Sequence, residues 1–188
     1  WVASGIVQSG GTLPIATNVS IYGGFTGTTE TNRSQRDYTA NISILDGEGV
    51  RRVVNISDGT VLLDGLTVTN GHATTGAGIY ASGHDTVTLA NCQVIDNHHG
   101  NNGCNGAGAY FNGGSVLIAN TTFADNSASY GGGSIGYAAG ISAHSVNMII
   151  VDSLFRSNSL ENIVVRDGEG GGAIWANHGT LAVTNTTF

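Results

Sequence analysis

Short apolar runs with period-two alternation recur along the chain, separated by Gly, Asn, Asp and Ser. Val116/Ile118 and Thr121/Phe123 show the pattern, and Ile42/Ile44, Val54/Ile56, Val61/Leu63 and Leu66/Val68 carry it earlier. Alternation of this kind marks short strands with one buried and one wet face. No window has apolar residues at helical spacing, and 30 glycines in 188 residues would weaken any helix. The pattern itself repeats. GAGAYFNGGSVLIANTTFADN at 106–126 has counterparts beginning at Gly76, Ala138 and Gly170, with equivalent glycines at Gly78, Gly108, Gly140 and Gly172. Three short strands per roughly 30 residues, stacked on similar neighbours, predict an all-β solenoid, a single-stranded parallel β-helix. One coil cannot close a core alone, but stacked coils bury a continuous one.

The residue after the second strand of each repeat is Asn91, Asn120, Asp152 or Asn185, two positions beyond an inward apolar residue. Asn and Asp tolerate left-handed backbone and bond their own neighbours, so they suit a sharp corner. Stacked coil on coil, these four would form a ladder of side-chain amides up one edge. Val94, Phe123, Phe155 and Phe188 follow at a fixed distance and are expected to stack as a column in the core.

GGGAI at 170–174, with FADN at 123–126 and FRSN at 155–158, resembles the paired glycine-rich and FxxN signatures of polymorphic outer-membrane protein repeats. The likeness covers about residues 60–188; Val94 departs from it, as do the two alanines before Gly140. Residues 1–59 resemble the lead-in of large bacterial surface proteins, through IYGGFTGTTETNRSQRD and ILDGEG. The resemblance implies a right-handed, pectin-lyase-like β-helix, secreted or surface-displayed, and associated with adhesion. The expected organisation is one domain: lead-in coils at 1–59 with a polar excursion at 26–40, then repeat coils at 60–188.

Composition narrows the partners. The net charge is −7, and all six basic residues are Arg. That balance argues against nucleic acid, which needs positive charge to neutralise phosphates, and against an anionic membrane surface. No run approaches the ~20 apolar residues of a membrane span. The chain starts at Trp1 without a basic-then-apolar leader and stops in mid-repeat at Phe188. The expectation is therefore a mature form or a piece of a longer helix, with further coils of its parent or copies of itself stacked end to end. Cys92 and Cys104 are the only cysteines; Cys92 is expected as a buried free thiol, with a disulfide to Cys104 as the alternative.

Candidate chemistry is sparse. Asp96 and Asp125 share a register before an Asn, so they would stand about 5 Å apart on adjacent coils, with Ser157 next and no basic residue near in sequence. They are the candidate catalytic dyad of a polysaccharide lyase or hydrolase, a class that needs converging acids and a base. Asp46-Gly47-Glu48-Gly49 and Asp167-Gly168-Glu169-Gly170 are identical tetrads that could offer oxygens to calcium, or simply form charged tight turns. The adjacent His98 and His99 should point to opposite faces, which makes them poor chelators; His72, His84, His144 and His178 stand elsewhere. Asn18, Asn41, Asn55, Asn120 and Asn185 open Asn-x-Ser/Thr sequons. Thr67/Thr69 could begin an ice-binding threonine row, but Gln93/Ile95, Thr122/Ala124 and Leu154/Arg156 break it. The expected function is an extracellular structural or adhesive module, a stiff rod or filament subunit that binds glycans or cell surfaces through polar corner loops, without cofactor or metal. A polysaccharide enzyme and an ice-binding solenoid are the rivals.

Overall fold

The computed structural model describes residues 2–7, 10–27, 30–99, 105–129, 137–161 and 171–188. The chain begins with β1 (Gly5–Val7), β2 (Leu13–Ala16) and β3 (Val19–Tyr22), passes a single 3-10 turn at Arg33–Gln35, and continues with β4 (Ser43–Asp46), β5 (Val54–Asp58) and β6 (Thr60–Asp64). A third circuit holds β7 (Leu66–Thr69), β8 (Ile79–Ser82) and β9 (Thr86–Ala90). A fourth strand then joins each circuit: β10 (Gln93–Ile95), β11 (His98–His99), β12 (Ala109–Asn112) and β13 (Ser115–Ala119). Next come β14 (Thr122–Ala124), β15 (Ser127–Ser129), β16 (Ile141–His144) and β17 (Asn147–Val151). The last circuit is β18 (Leu154–Arg156), β19 (Ser159–Glu161), β20 (Ile174–Asn177) and β21 (Thr180–Thr184).

Every pairing between these strands is parallel, and each strand pairs with its counterpart in the next circuit. Three six-stranded sheets result. The first runs β1-β4-β7-β10-β14-β18, the second β2-β5-β8-β12-β16-β20, the third β3-β6-β9-β13-β17-β21; β11-β15-β19 form a small fourth. The lead-in strands β1 to β5 thus belong to the same sheets as the repeats. The step between circuits is not constant: it is 26 residues from Gly71 to Asn97, 29 from Asn91 to Asn120 and 33 from Asp152 to Asn185.

One face of each sheet lines a shared core. Leu45, Val68, Val94, Phe123 and Phe155 stand in one buried column. Phe123 and Phe155 stack with centroids 5.1 Å apart, and Phe188 lies 5.2 Å beyond, though 64 % exposed. The second sheet alternates Ala81, Phe111 and Ala143, so one large ring fits between two small residues. The third contributes Leu63, Leu89, Ile118 and Ile150. Burying each of these large side chains contributes about 1.5–3 kcal/mol. Outside, the second sheet carries a ribbon of rings in which Tyr80 stacks on Tyr110, and His144 touches both Tyr110 and Trp175.

Two expectations of register need correction. Ser43 and Leu45 point inward, whereas Ile42 is 37 % exposed and Ile44 half-buried. Ser43 takes the inward place because its hydroxyl closes the first circuit. It donates at 2.9 Å toward the carbonyls of Val2 and Ala3 and accepts from the Gly24 N–H at 3.0 Å. A strand's faces exchange with a one-residue shift, so β4 presents Ile44 outward, with Ile42 just ahead of it. The glycine register also slips once: Ile141 pairs with Ile174, so Gly140 lies opposite Ala173 and not Gly172.

The polar stretch at 26–40 returns to the sheet. Asn32 and Gln35 cap the 3-10 turn reciprocally, and Arg36 reaches the Asp64 carboxylate at 2.6 Å. Tyr38 then packs where a Cβ on Gly24 would stand, 2.8 Å from its Cα. No helix among the described residues is long and apolar enough to cross a membrane.

Candidate functional site

The returning segment and the first sheet's outer face together form a groove. Tyr38, Thr39 and Ile42 form one wall, and Thr67, Gln93, Thr122 and Leu154 lie along its floor. Its volume is about 440 Å³, within the usual range of small-molecule sites. The floor residues come from consecutive strands β7, β10, β14 and β18 in exact register. Among the described residues, the side chains of Thr67, Gln93 and Thr122 have no hydrogen-bond partner within the protein. Among the described residues, Arg156 is the one charged group lining the groove, and Asp125 engages it at 3.2 Å; Asp64, next to the lining residue Gly65, is engaged by Arg36 at 2.6 Å.

One rim is the corner after the third sheet. Asn91, Asn120, Asp152 and Asn185 all have left-handed backbone there, with φ between 46° and 53°. Asn91 donates from Nδ2 to Asp64 at 2.7 Å, Asn120 to Asn91 at 2.8 Å, and Asn185 to Asp152 at 2.5 Å. The row is interrupted between Asn120 and Asp152. Each donation runs toward the preceding circuit, and a carboxylate has no N–H with which to continue it. Asn120 and Asp152 are also exposed, so this row edges the groove rather than lying in the interior.

Two further rows, continuous and buried up to their last members, the half-buried Asn158 and Thr186, flank the corners. Asn97, Asn126 and Asn158 bond side chain to side chain, Asn97 Nδ2 to Asn126 Oδ1 at 3.0 Å and Asn126 Nδ2 to Asn158 Oδ1 at 2.9 Å. Each also donates to a backbone carbonyl one circuit back, those of Val68, Val94 and Phe123. The sequence signal was the fixed Asn that ends each FxxN-type segment. The second row is Cys92, Thr121, Ser153 and Thr186. The Cys92 N–H donates to Thr121 Oγ1, the Thr121 N–H to Ser153 Oγ and the Ser153 N–H to Thr186 Oγ1. Cys92 is free and buried at the corner just ahead of β10, and burial pushes its thiol pKa up to about 11. Cys104 lies outside the described residues.

The other candidates separate. Asp96 and Asp125 occupy equivalent left-handed corners with Ser157 next, but a basic residue does stand beside them. Parallel pairing sets Arg156, one circuit on, opposite Ala124, so its side chain reaches the adjacent Asp125 at 3.2 Å, a neighbour invisible in linear sequence. The Asp46 carboxylate accepts the Glu48 N–H at 2.7 Å, and Glu48 pairs with Arg51, so these oxygens serve a turn. Asp167 and Glu169 lie outside the described residues. Among the described residues, no three His, Cys, Asp or Glu side chains gather as for a metal ion. His98 is exposed and bonds Ser127 at 2.7 Å, whereas His99 is buried and reaches the Thr74 carbonyl. Thr67 and Thr69 pair with Gln93 and Ile95, and these with Thr122 and Ala124, so no threonine row forms on this face.

No protein-family model matches the chain, and no curated protein or solved structure matches it either.

Proposed function

We propose that the three parallel sheets are the faces of one right-handed, single-stranded parallel β-helix, and that it serves as a rigid extracellular module of the adhesive, surface-displayed kind. The fixed order in which the chain visits the sheets supports the helix, and the strong right-handed bias of parallel crossovers supports its hand. Stacked amides, hydroxyls and rings tie each circuit to the next, which suits a stiff scaffold. The resemblance to polymorphic outer-membrane protein repeats carries the surface location. The observation that carries binding is the groove on the first sheet, whose floor presents hydroxyl and amide groups that bond none of the described residues.

The rival reading, a polysaccharide-cleaving enzyme, rests on Asp96, Asp125 and Arg156. Here Asp125 and Arg156 are bonded to each other, and catalysis needs an acid and a base converging on a reacting bond. The test measures two things in one preparation: retention of the chain on immobilised cell-wall and host-surface polymers, and release of reducing or unsaturated ends from soluble polysaccharide, with and without calcium. Retention without cleavage is expected. Cleavage that disappears in Asp125→Asn overturns the reading in favour of the enzyme.

A further inference from the structure

We infer that the groove on the first sheet binds an uncharged saccharide chain lying along the stacking direction; the inference rests on the adhesive reading and names its ligand class. Shape comes first. The floor crosses four successive strands, so three inter-strand steps give it a length of about 14 Å. A ligand that follows it is elongated and repeats, as the floor does.

The chemistry of the lining points the same way. Thr67, Gln93 and Thr122 each offer both a donor and an acceptor, and none is committed to another of the described residues. Asn120 adds a side-chain oxygen at the rim, with one of its two amide N–H groups given to Asn91. Groups that both give and accept suit hydroxyls, which do the same. Tyr38, Ile42 and Leu154 add apolar surface for the C–H faces of sugar rings.

Charge excludes the neighbouring classes. Arg156, the one cation lining the groove among the described residues, is held by Asp125, and the molecule carries a net charge of −7. A uronate or sulfated polymer therefore finds no free positive partner and meets a repelling field. A peptide cannot add as a strand, because the groove lies on the face of the sheet, where the backbone of β7, β10 and β14 is already paired on both sides.

The experiment uses the full chain in isothermal titration against hexasaccharides of neutral glucose, mannose and galactose series, with matched uronate and sulfated oligosaccharides. At least one neutral series is expected to bind. The double variant Gln93→Ala/Thr122→Val should weaken it at least tenfold, as expected for two lost hydrogen bonds, while its melting temperature stays unchanged. Binding of acidic oligosaccharides alone, binding of none, or equal affinity in the variant overturns the inference. Retention on surfaces in the previous experiment, combined with no binding here, leaves the adhesive reading standing and removes only its saccharide ligand.

Discussion

Gly108 and Asn126 share one space: a Cβ on Gly108 would stand 3.1 Å from the side-chain amide carbon of Asn126 and 2.6 Å from the carbonyl oxygen of Gly140. Gly78 stands in the same relation to Asn97, at 2.9 Å. The glycine-rich and FxxN segments are thus two halves of one contact. The Asn side chain crosses to the neighbouring circuit, and the glycine leaves room for it.

Gly108→Ala should therefore destabilise the protein by about 3 kcal/mol, the cost of overpacking a site whose nearest atom is backbone. Gly11, which has open space in the direction of a Cβ, supplies the control, and Gly11→Ala should stay within about 0.5 kcal/mol. Urea denaturation of both variants measures the difference. Equal stability would mean that the circuits separate easily at Gly108.

The two Asn rows differ in what they contribute. Asn126→Ala removes a fully buried amide, leaves the Asn97 N–H without its acceptor, and takes one bond each from the Asn97 side chain, the Val94 carbonyl and the Asn158 side chain. A loss of about 3 kcal/mol is expected from four hydrogen bonds removed at once, one of them leaving a buried N–H unpaired. Asn120 is exposed and makes one side-chain bond, so Asn120→Ala should cost less than about 1 kcal/mol. Thermal melts that rank the two the other way would place the structural row at the wrong corner.

Sequence and structure part company at identifiable places. Val94, Phe123 and Phe155 are legible as a column because alternation reports directly which side chains are hidden. Ser43 is not, since a polar residue in the inward place looks like a wet position until its three partners are known. The slip at Gly172 is hidden by three consecutive glycines, 170–172, among which local pattern cannot choose. The Asn row is not legible in the sequence because Asn97, Asn126 and Asn158 look like turn residues, and only strand register brings them together. The groove is the least legible feature. It exists because residues 38–42 fold back over strands that begin more than twenty positions later, a contact that leaves no periodic trace.

Cys92 should behave as an inert thiol. Its Sγ–H faces the carbonyls of Ala90 at 3.2 Å and Leu63 at 3.4 Å, and burial raises its pKa to about 11. The thiolate is the reactive form, so iodoacetamide at pH 8 should leave the native residue unmodified and label it after denaturation. Mass spectrometry of the peptide containing Cys92 reads this separately from Cys104. Rapid native labelling at Cys92 would show that this corner opens.

His84 gives the protein a pH dependence of predictable sign. It sits in the turn between β8 and β9, 5 % exposed, edge-on to Phe111 with centroids 6.4 Å apart. Neither ring nitrogen has a hydrogen-bond partner among the described residues. Burial lowers its pKa below the ordinary imidazole value, and neighbouring Asp85 offsets only part of this. In the window between that lowered pKa and about 6.5, the unfolded chain binds more protons than the folded one. Stability is therefore fully present above that window and falls as the pH drops through it. His144 acts in the same direction, lowered first by burial and then by His178. His84→Leu removes one of the two contributions and replaces an unpaired polar ring with an apolar side chain. Its melting temperature should match or exceed that of the parent at pH 8, and it should fall less between pH 7 and pH 5. Parallel losses in the two proteins would mean that His84 finds a partner in solution, an ordered water above all, and does not sense acid.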